Sequence, residues 1–153
     1  MNESKIVDER IISFIDSNTN LTLAVSENNK PYCANCFYAF DKENLFLVFK
    51  SKLSTNNIEI ALKNSSVAGT IVPDSLDKLH VKGIQFTGKV KQADGENLSA
   101  AKKIYYLKYP FAMALPGELW IIELHTLKYT DNTLGFGKRL EWVKEGEQPV
   151  CSR

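Results

Sequence analysis

Between residues 21 and 129 the chain carries six runs of strand-type residues, most of them separated by only a few turn-forming residues. This spacing constrains the fold more than any other feature. Parallel neighbours need a crossover of a dozen or more residues, whereas antiparallel neighbours need only a tight turn. The first three runs, 21–26, 32–40 and 44–50, are joined by Glu27-Asn28-Asn29-Lys30-Pro31 and by Asp41-Lys42-Glu43, and so read as a meander. Asparagine tolerates positive φ and suits the first of these turns. Three more runs follow at 67–72, 80–91 and 119–129. The last begins Leu119-Trp120-Ile121-Ile122, apolar on both faces, as expected of a central strand.

Three stretches change period. Val7, Ile11, Phe14 and Ile15 fall at helical spacing within 4–17, and Ile58, Ala61 and Leu62 share a face within about 56–63. Leu98, Ala101, Ile104 and Tyr105 do so within about 96–109, where Pro110 ends the pattern. The order α-βββ-α-ββ-α-β predicts a mainly β fold with helices (α+β). The expected form is a six-stranded antiparallel split β-barrel with short flanking helices, because closure removes exposed strand edges. No linker or repeat divides the 153 residues, so one domain is expected over 1–153, with a loosely ordered tail from about residue 143.

Nineteen basic residues offset eighteen acidic ones, for a net charge of +1, and give no general field for nucleic acid or an anionic membrane. No apolar run approaches the roughly 20 residues of a membrane span. The N-terminus MNESKIVDER lacks a signal-peptide pattern, so a cytoplasmic location is the default expectation. Three cysteines are too few for a disulfide scaffold.

Chemistry-bearing residues concentrate in one place. Lys50-Ser51-Lys52-Leu53-Ser54-Thr55-Asn56-Asn57 joins a strand to a helix and holds two ammonium groups, three hydroxyls and two amides. Beside a helix N-terminus these are the components of a phosphate site. The same segment also reads as a solvated loop in which Asn56 and Glu59 form a capping box. Cys33-Ala34-Asn35-Cys36 lies inside a strand, where positions three apart face opposite ways, so it reads as packing and not as a redox or zinc pair. Asp131-Asn132-Thr133-Leu134-Gly135-Phe136-Gly137-Lys138-Arg139 could form an anion-binding nest or a tight turn, and it lacks dinucleotide-binding spacing. His80 and His125 are isolated and read as structural.

Four segments carry a family resemblance. They are Cys33-Ala34-Asn35 with Phe37-Tyr38, Val67-Ala68-Gly69-Thr70, Lys82-Gly83-Ile84-Gln85-Phe86-Thr87-Gly88, and Tyr129 through Lys138. With them the chain resembles the pyridoxamine 5'-phosphate oxidase-like FMN-binding split barrels, and especially their bacterial YhbP branch. The resemblance implies a homodimer with two FMN sites between the subunits, and the residues themselves suggest no metal site. It maps the phosphate onto Lys50, Ser51, Lys52, Ser54 and Thr55. The flavin ring maps onto Asn35 to Tyr38 (including Phe37), Val48, Phe49 and Gln85. Asn132, Gly135 and Lys138 are expected to approach from the C-terminal run, as a contribution of the partner subunit or of the same one. An FMN-dependent oxidoreductase with a nicotinamide donor is the leading expectation. A non-catalytic flavin or haem-type binding protein, with haem ligation from His80, His125 or Cys151, is the alternative, and a degenerate barrel used for protein contact is a third. The arginine-rich phosphate grip and Arg-x-His motif of pyridoxamine phosphate oxidases are absent. Thr55-Asn56-Asn57 stands where YhbP-type relatives tend to carry Thr-Arg-His, so two cationic groups are missing.

Overall fold

A computed structural model of the chain describes residues 6–135 and 139–150. Its elements run α1 (Glu9–Ser17), β1 (Asn20–Glu27), β2 (Lys30–Asp41), β3 (Phe46–Ser51), α2 (Asn56–Lys63), β4 (Ser66–Ile71), β5 (Lys82–Gln92), α3 (Gly95–Lys108), a short 3-10 helix (Pro110–Ala114), β6 (Glu118–Asp131), a 3-10 turn (Asn132–Leu134) and β7 (Arg139–Val143). All strand pairings are antiparallel.

Six strands close a circuit, β1-β2-β3-β6-β5-β4 and back to β1. β6 makes the closure possible. One of its edges pairs with β5 throughout. The other pairs first with β3, from Glu118 to Glu123, and then with β7, from Thr126 to Thr130. The barrel therefore splits at Leu124 and His125. At the fork Leu124 N–H donates to the Leu45 carbonyl at 3.2 Å, and His125 is the unpaired residue of a bulge opposite Thr87/Gly88. A bulge bends a strand and increases its twist, which lets one strand serve two neighbours on the same edge.

Alternation along each strand sorts the side chains into two cores. Leu21, Leu23, Tyr38, Leu47, Phe49, Ile84, Trp120 and Ile122 fill the barrel, where α1 adds Ile11, Phe14 and Ile15 and α2 adds Ile58. A second cluster lies outside the barrel, where Ala39, Val48, Leu119 and Ile121 are covered by Ala101, Tyr105 and Tyr109. The two-sided apolar start of β6 thus has one face in the barrel and one beneath α3.

Several boundaries differ from the sequence reading for local reasons. α1 begins at Glu9, not residue 4, because the Asp8 carboxylate accepts from the Arg10 amide and caps the helix. β3 begins two residues late because Asp41 gathers the amides of Glu43 and Asn44, and Leu45 turns at φ 55°. The hairpin before Lys30 has Asn28 and Asn29 at φ 51° and 62°, as the turn chemistry requires. β7 is a seventh strand beyond the six expected. No helix among the described residues is long and apolar enough to cross a membrane.

β1, β4 and β5 approach closely at Gly69, where an added Cβ would stand 2.3 Å from the Thr22 carbonyl oxygen and 2.2 Å from the Phe86 ring. The ring can shift but the ladder carbonyl cannot. Gly69→Ala is expected to destabilise the fold by about 1–3 kcal/mol, read as a lower urea midpoint. An unchanged midpoint would show that the strands are not packed this tightly.

Candidate functional site

At the end of β3 the chain leaves the barrel wall and enters α2, and a cavity of about 400 Å³ opens there. Its lining comes from β2 (Ala34 to Phe37), the β3–α2 junction (Lys50, Ser51, Thr55, Asn57), α3 (Tyr105) and the segment after it (Tyr109, Phe111, Ala112, Leu115, Pro116). The Trp120 indole N–H donates to the Ser51 carbonyl at 2.9 Å and fixes the end of β3.

One wall is aromatic. Phe37 and Tyr109 have ring centroids 5.9 Å apart, Tyr105 and Tyr109 5.0 Å, and Tyr109 and Phe111 6.3 Å. Tyr109 is anchored by its hydroxyl, which donates to the Tyr38 carbonyl at 2.6 Å. Phe37 is 55% exposed and Phe111 67% exposed, so this wall presents flat apolar surface.

The opposite wall is the N-terminus of α2. Thr55 is the capping residue, in place of the Asn56–Glu59 box read from the sequence, but its side chain caps nothing. Its hydroxyl instead donates to the Lys52 carbonyl and meets the Ser51 hydroxyl, both at 2.9 Å. The first-turn amides of Asn56, Asn57 and Ile58 consequently meet no acceptor among the described residues. Asn57 is 6% exposed, lines the cavity, and its carboxamide makes no hydrogen bond. No fully inaccessible side-chain polar atom lacks a partner, so the carboxamide opens onto accessible space at the cavity wall.

The structure brings Asn35, Phe37, Lys50, Ser51 and Thr55 together around one cavity. Lys52 and Ser54 are exposed beside it on the β3–α2 loop. Other expected side chains point elsewhere. Tyr38 and Phe49 face the barrel core, and the Tyr38 hydroxyl donates to the Ile15 carbonyl at 2.6 Å. Val48 is buried beneath α3. Strand alternation turns Tyr38 and Phe49 away from the cavity, whereas Val48 shares the face of Lys50 and is covered by the packing of α3. The Lys50 ammonium lines the cavity but is engaged, donating to the Tyr106 hydroxyl at 2.9 Å and the Ala112 carbonyl at 2.8 Å. It ties β3 to α3 and to the 3-10 helix.

Gln85 lies on another cavity, of about 230 Å³, on the outer face of β4–β7 with Thr87, Lys128 and Glu141. Asn132 donates to the Leu79 carbonyl and Gly135 has φ 114°, both just past β6. Ser51 pairs with Glu118 at the start of β6, so the Asn132–Gly135 turn is at the far end of that strand, up to roughly 40 Å along its path at the rise of an extended chain. Lys138 and Cys151 fall outside the described residues. Asn57 was expected only as one amide of the Lys50–Asn57 cluster, and Tyr105 was not among the expected site residues. The signal available for each was a polar group on the apolar face of a helix.

No family model matches the chain. Its sequence is 36% identical over 125 residues to the UPF0306 protein YhbP of Salmonella paratyphi A, covering 82% of this chain and 85% of that protein. The chain belongs to the UPF0306 family. Solved structures extend the likeness to the fold. A heme binding protein from Mycobacterium smegmatis superposes with a TM-score of 0.75 at 15% identity over 88% of this chain, which spans 57% of that longer chain. A FAD-binding protein from Mesorhizobium loti superposes at 0.68 with 13% identity, over 82% of this chain and 95% of the other. The UPF0306 chain therefore has the split-barrel architecture that its pairing pattern describes.

Cys36 lines the cavity, and burial pushes its thiol up to about 11, so it stays protonated at neutral pH. Cys33, three residues earlier, is exposed and also free. At pH 8 iodoacetamide is expected to modify Cys33 and to spare Cys36 until the protein is unfolded, as read by peptide mass mapping. Equal labelling of both in the native protein would contradict this placement. Lys50→Met removes both ammonium hydrogen bonds and is expected to lower stability by about 1–2 kcal/mol, seen as a lower melting temperature. An unchanged melting temperature would show that the ammonium does not tie these elements together.

Proposed function

We propose that this UPF0306 protein binds FMN in the cavity between the α2 N-terminus and the aromatic wall, as a member of the pyridoxamine 5'-phosphate oxidase-like split barrels, and acts as a flavin-dependent oxidoreductase. The observation that carries the reading is Asn57: an almost wholly buried carboxamide without a partner, beside three free amides, at the polar end of a cavity whose other wall is flat and apolar. An uncapped helix start favours an anion through its amides and its dipole. Phe37, Tyr109 and Phe111 offer the apolar surface a planar ring needs.

The residues present fit such a ligand. The backbone amides of Asn56 and Asn57, the Asn57 carboxamide and the exposed Lys52 ammonium would hold the phosphate, while Phe37 and Tyr109 would pack against one face of the ring. Bound flavin supplies hydride and single-electron chemistry, with a reduced nicotinamide as the proposed donor. The chain's own residues bind, orient and exclude water. Lys50 does so indirectly, by holding the 3-10 helix against the mouth.

We further propose that the working unit is a homodimer. Asn35, Thr22, Thr70, Gln85 and Lys128 form one continuous cross-strand row on the outer face of β2, β1, β4, β5 and β6. A second copy on this face would bring Gln85 of the partner subunit toward the cavity, which the same subunit's Gln85 does not line. The haem alternative has less support. Neither described histidine lines the cavity. His80 is exposed against Asp77, and the His125 ring nitrogens lie 3.3 and 3.5 Å from Glu147 and Glu123.

Titration with FMN, followed by quenching of flavin fluorescence, tests the proposal. The protein is expected to bind FMN, and Lys52→Glu and Asn57→Ala are each expected to weaken binding about tenfold or more. Riboflavin binding should change far less. Parent-like FMN affinity in both variants would refute the phosphate site.

A further inference from the structure

The cavity contains a second unpartnered polar group, and it comes from α3. The chain has six tyrosines. Tyr32 is 42% exposed and open to solvent. The Tyr38, Tyr109 and Tyr129 hydroxyls donate to the Ile15 carbonyl, the Tyr38 carbonyl and the Asp131 carboxylate, and the Tyr106 hydroxyl accepts from Lys50. Tyr105 differs. It is only 5% exposed, it lines the cavity, and its hydroxyl makes no hydrogen bond. Because no fully inaccessible side-chain polar atom is left without a partner, this hydroxyl also reaches accessible space, and Tyr105 is a lining residue of the cavity.

The hydroxyl has no protein partner among the described residues, and phenylalanine would fill the same packed volume without it. The rest of Tyr105 is set by packing: its ring contacts Tyr109 at 5.0 Å and Tyr106 at 5.7 Å. Only the oxygen is unaccounted for. Asn57 stands in the same condition on the α2 side, so two residues from different helices bring polar groups without a protein partner to one largely apolar space.

We propose that the Tyr105 hydroxyl recognises the ligand by donating a hydrogen bond to an acceptor atom on the ring of whatever occupies this cavity. The inference rests on the flavin reading above and adds a residue to it, assigning ring recognition to α3 and phosphate recognition to α2. Burial, with smaller contributions from nearby Cys36 and Tyr106, pushes the phenol up to about 12, so it remains a donor across the neutral range. The ligand class that satisfies both walls is a flat heteroaromatic ring with a carbonyl or aza acceptor on its edge and an anionic group on a tether. A purely hydrocarbon ring would leave the hydroxyl unpaired.

The test is Tyr105→Phe, compared with the parent for binding of FMN and of riboflavin and for melting temperature, with Tyr109→Phe as the structural control. Tyr105→Phe is expected to weaken both flavins by the same factor, about tenfold, because the lost contact is to the ring they share. Its melting temperature should equal or exceed the parent's, whereas Tyr109→Phe, which loses the bond to the Tyr38 carbonyl, should melt lower. Undiminished flavin binding by Tyr105→Phe overturns the inference and leaves the flavin reading standing. A fall in its melting temperature matching that of Tyr109→Phe makes the hydroxyl structural and likewise overturns it. A parent protein that binds neither flavin removes the flavin reading and this inference together.

Discussion

The double pairing of β6 is the constraint on which the structure depends. One strand edge is shared by β3 and β7, with a bulge at His125 where the partner changes. Without the first pairing the barrel would stay open. Without the change of partner, β6 could not continue past the barrel wall to the turn beginning at Asn132. The fork itself is secured by polar contacts at His125, whose carbonyl accepts the Lys144 amide at 2.8 Å while the Lys144 ammonium pairs with Glu123. That ion pair holds the Glu123 carboxyl below its ordinary range.

The candidate site follows from this closure. Pairing of β3 with the start of β6 brings Trp120 against Ser51 and places the uncapped start of α2 at one fixed point. The β5–β6 connection then has to cross the outside of β2 and β3, and α3 with the 3-10 helix does so, carrying the tyrosines. Two walls of opposite character face each other because one closes the barrel and the other covers it. Lys50 and Tyr109 join them, through a cation on a carbonyl and a phenol on a carbonyl.

Most of the fold was legible in the sequence because its signals are local. Turn residues such as Asn28 and Asn29 and the helical spacing of Ile58 and Ala61 fall within a few residues of the structure they direct. β7 was not legible. Arg139 to Val143 is short and half polar, and what makes it a strand is the free edge of β6, a feature of the assembled sheet. The site was legible in part. The cluster from Lys50 to Thr55 does sit at a helix N-terminus, but whether an ammonium is free or engaged depends on Tyr106 and Ala112, more than fifty residues away. Alternation alone separates Phe37 from Tyr38 and Lys50 from Phe49, so assigning both members of each pair to one surface passed over a signal that was present. Asn57 was read only as one amide of the Lys50–Asn57 cluster and Tyr105 only as part of the apolar face of its helix, since it is tertiary packing that brings both to the cavity without a protein partner.

The most direct measurement is a crystal structure of the protein grown with FMN. The account predicts phosphate density at the amides of Asn56 and Asn57, with the ring against Phe37 and Tyr109. An empty cavity, or a flavin whose phosphate lies away from the start of α2, would contradict it.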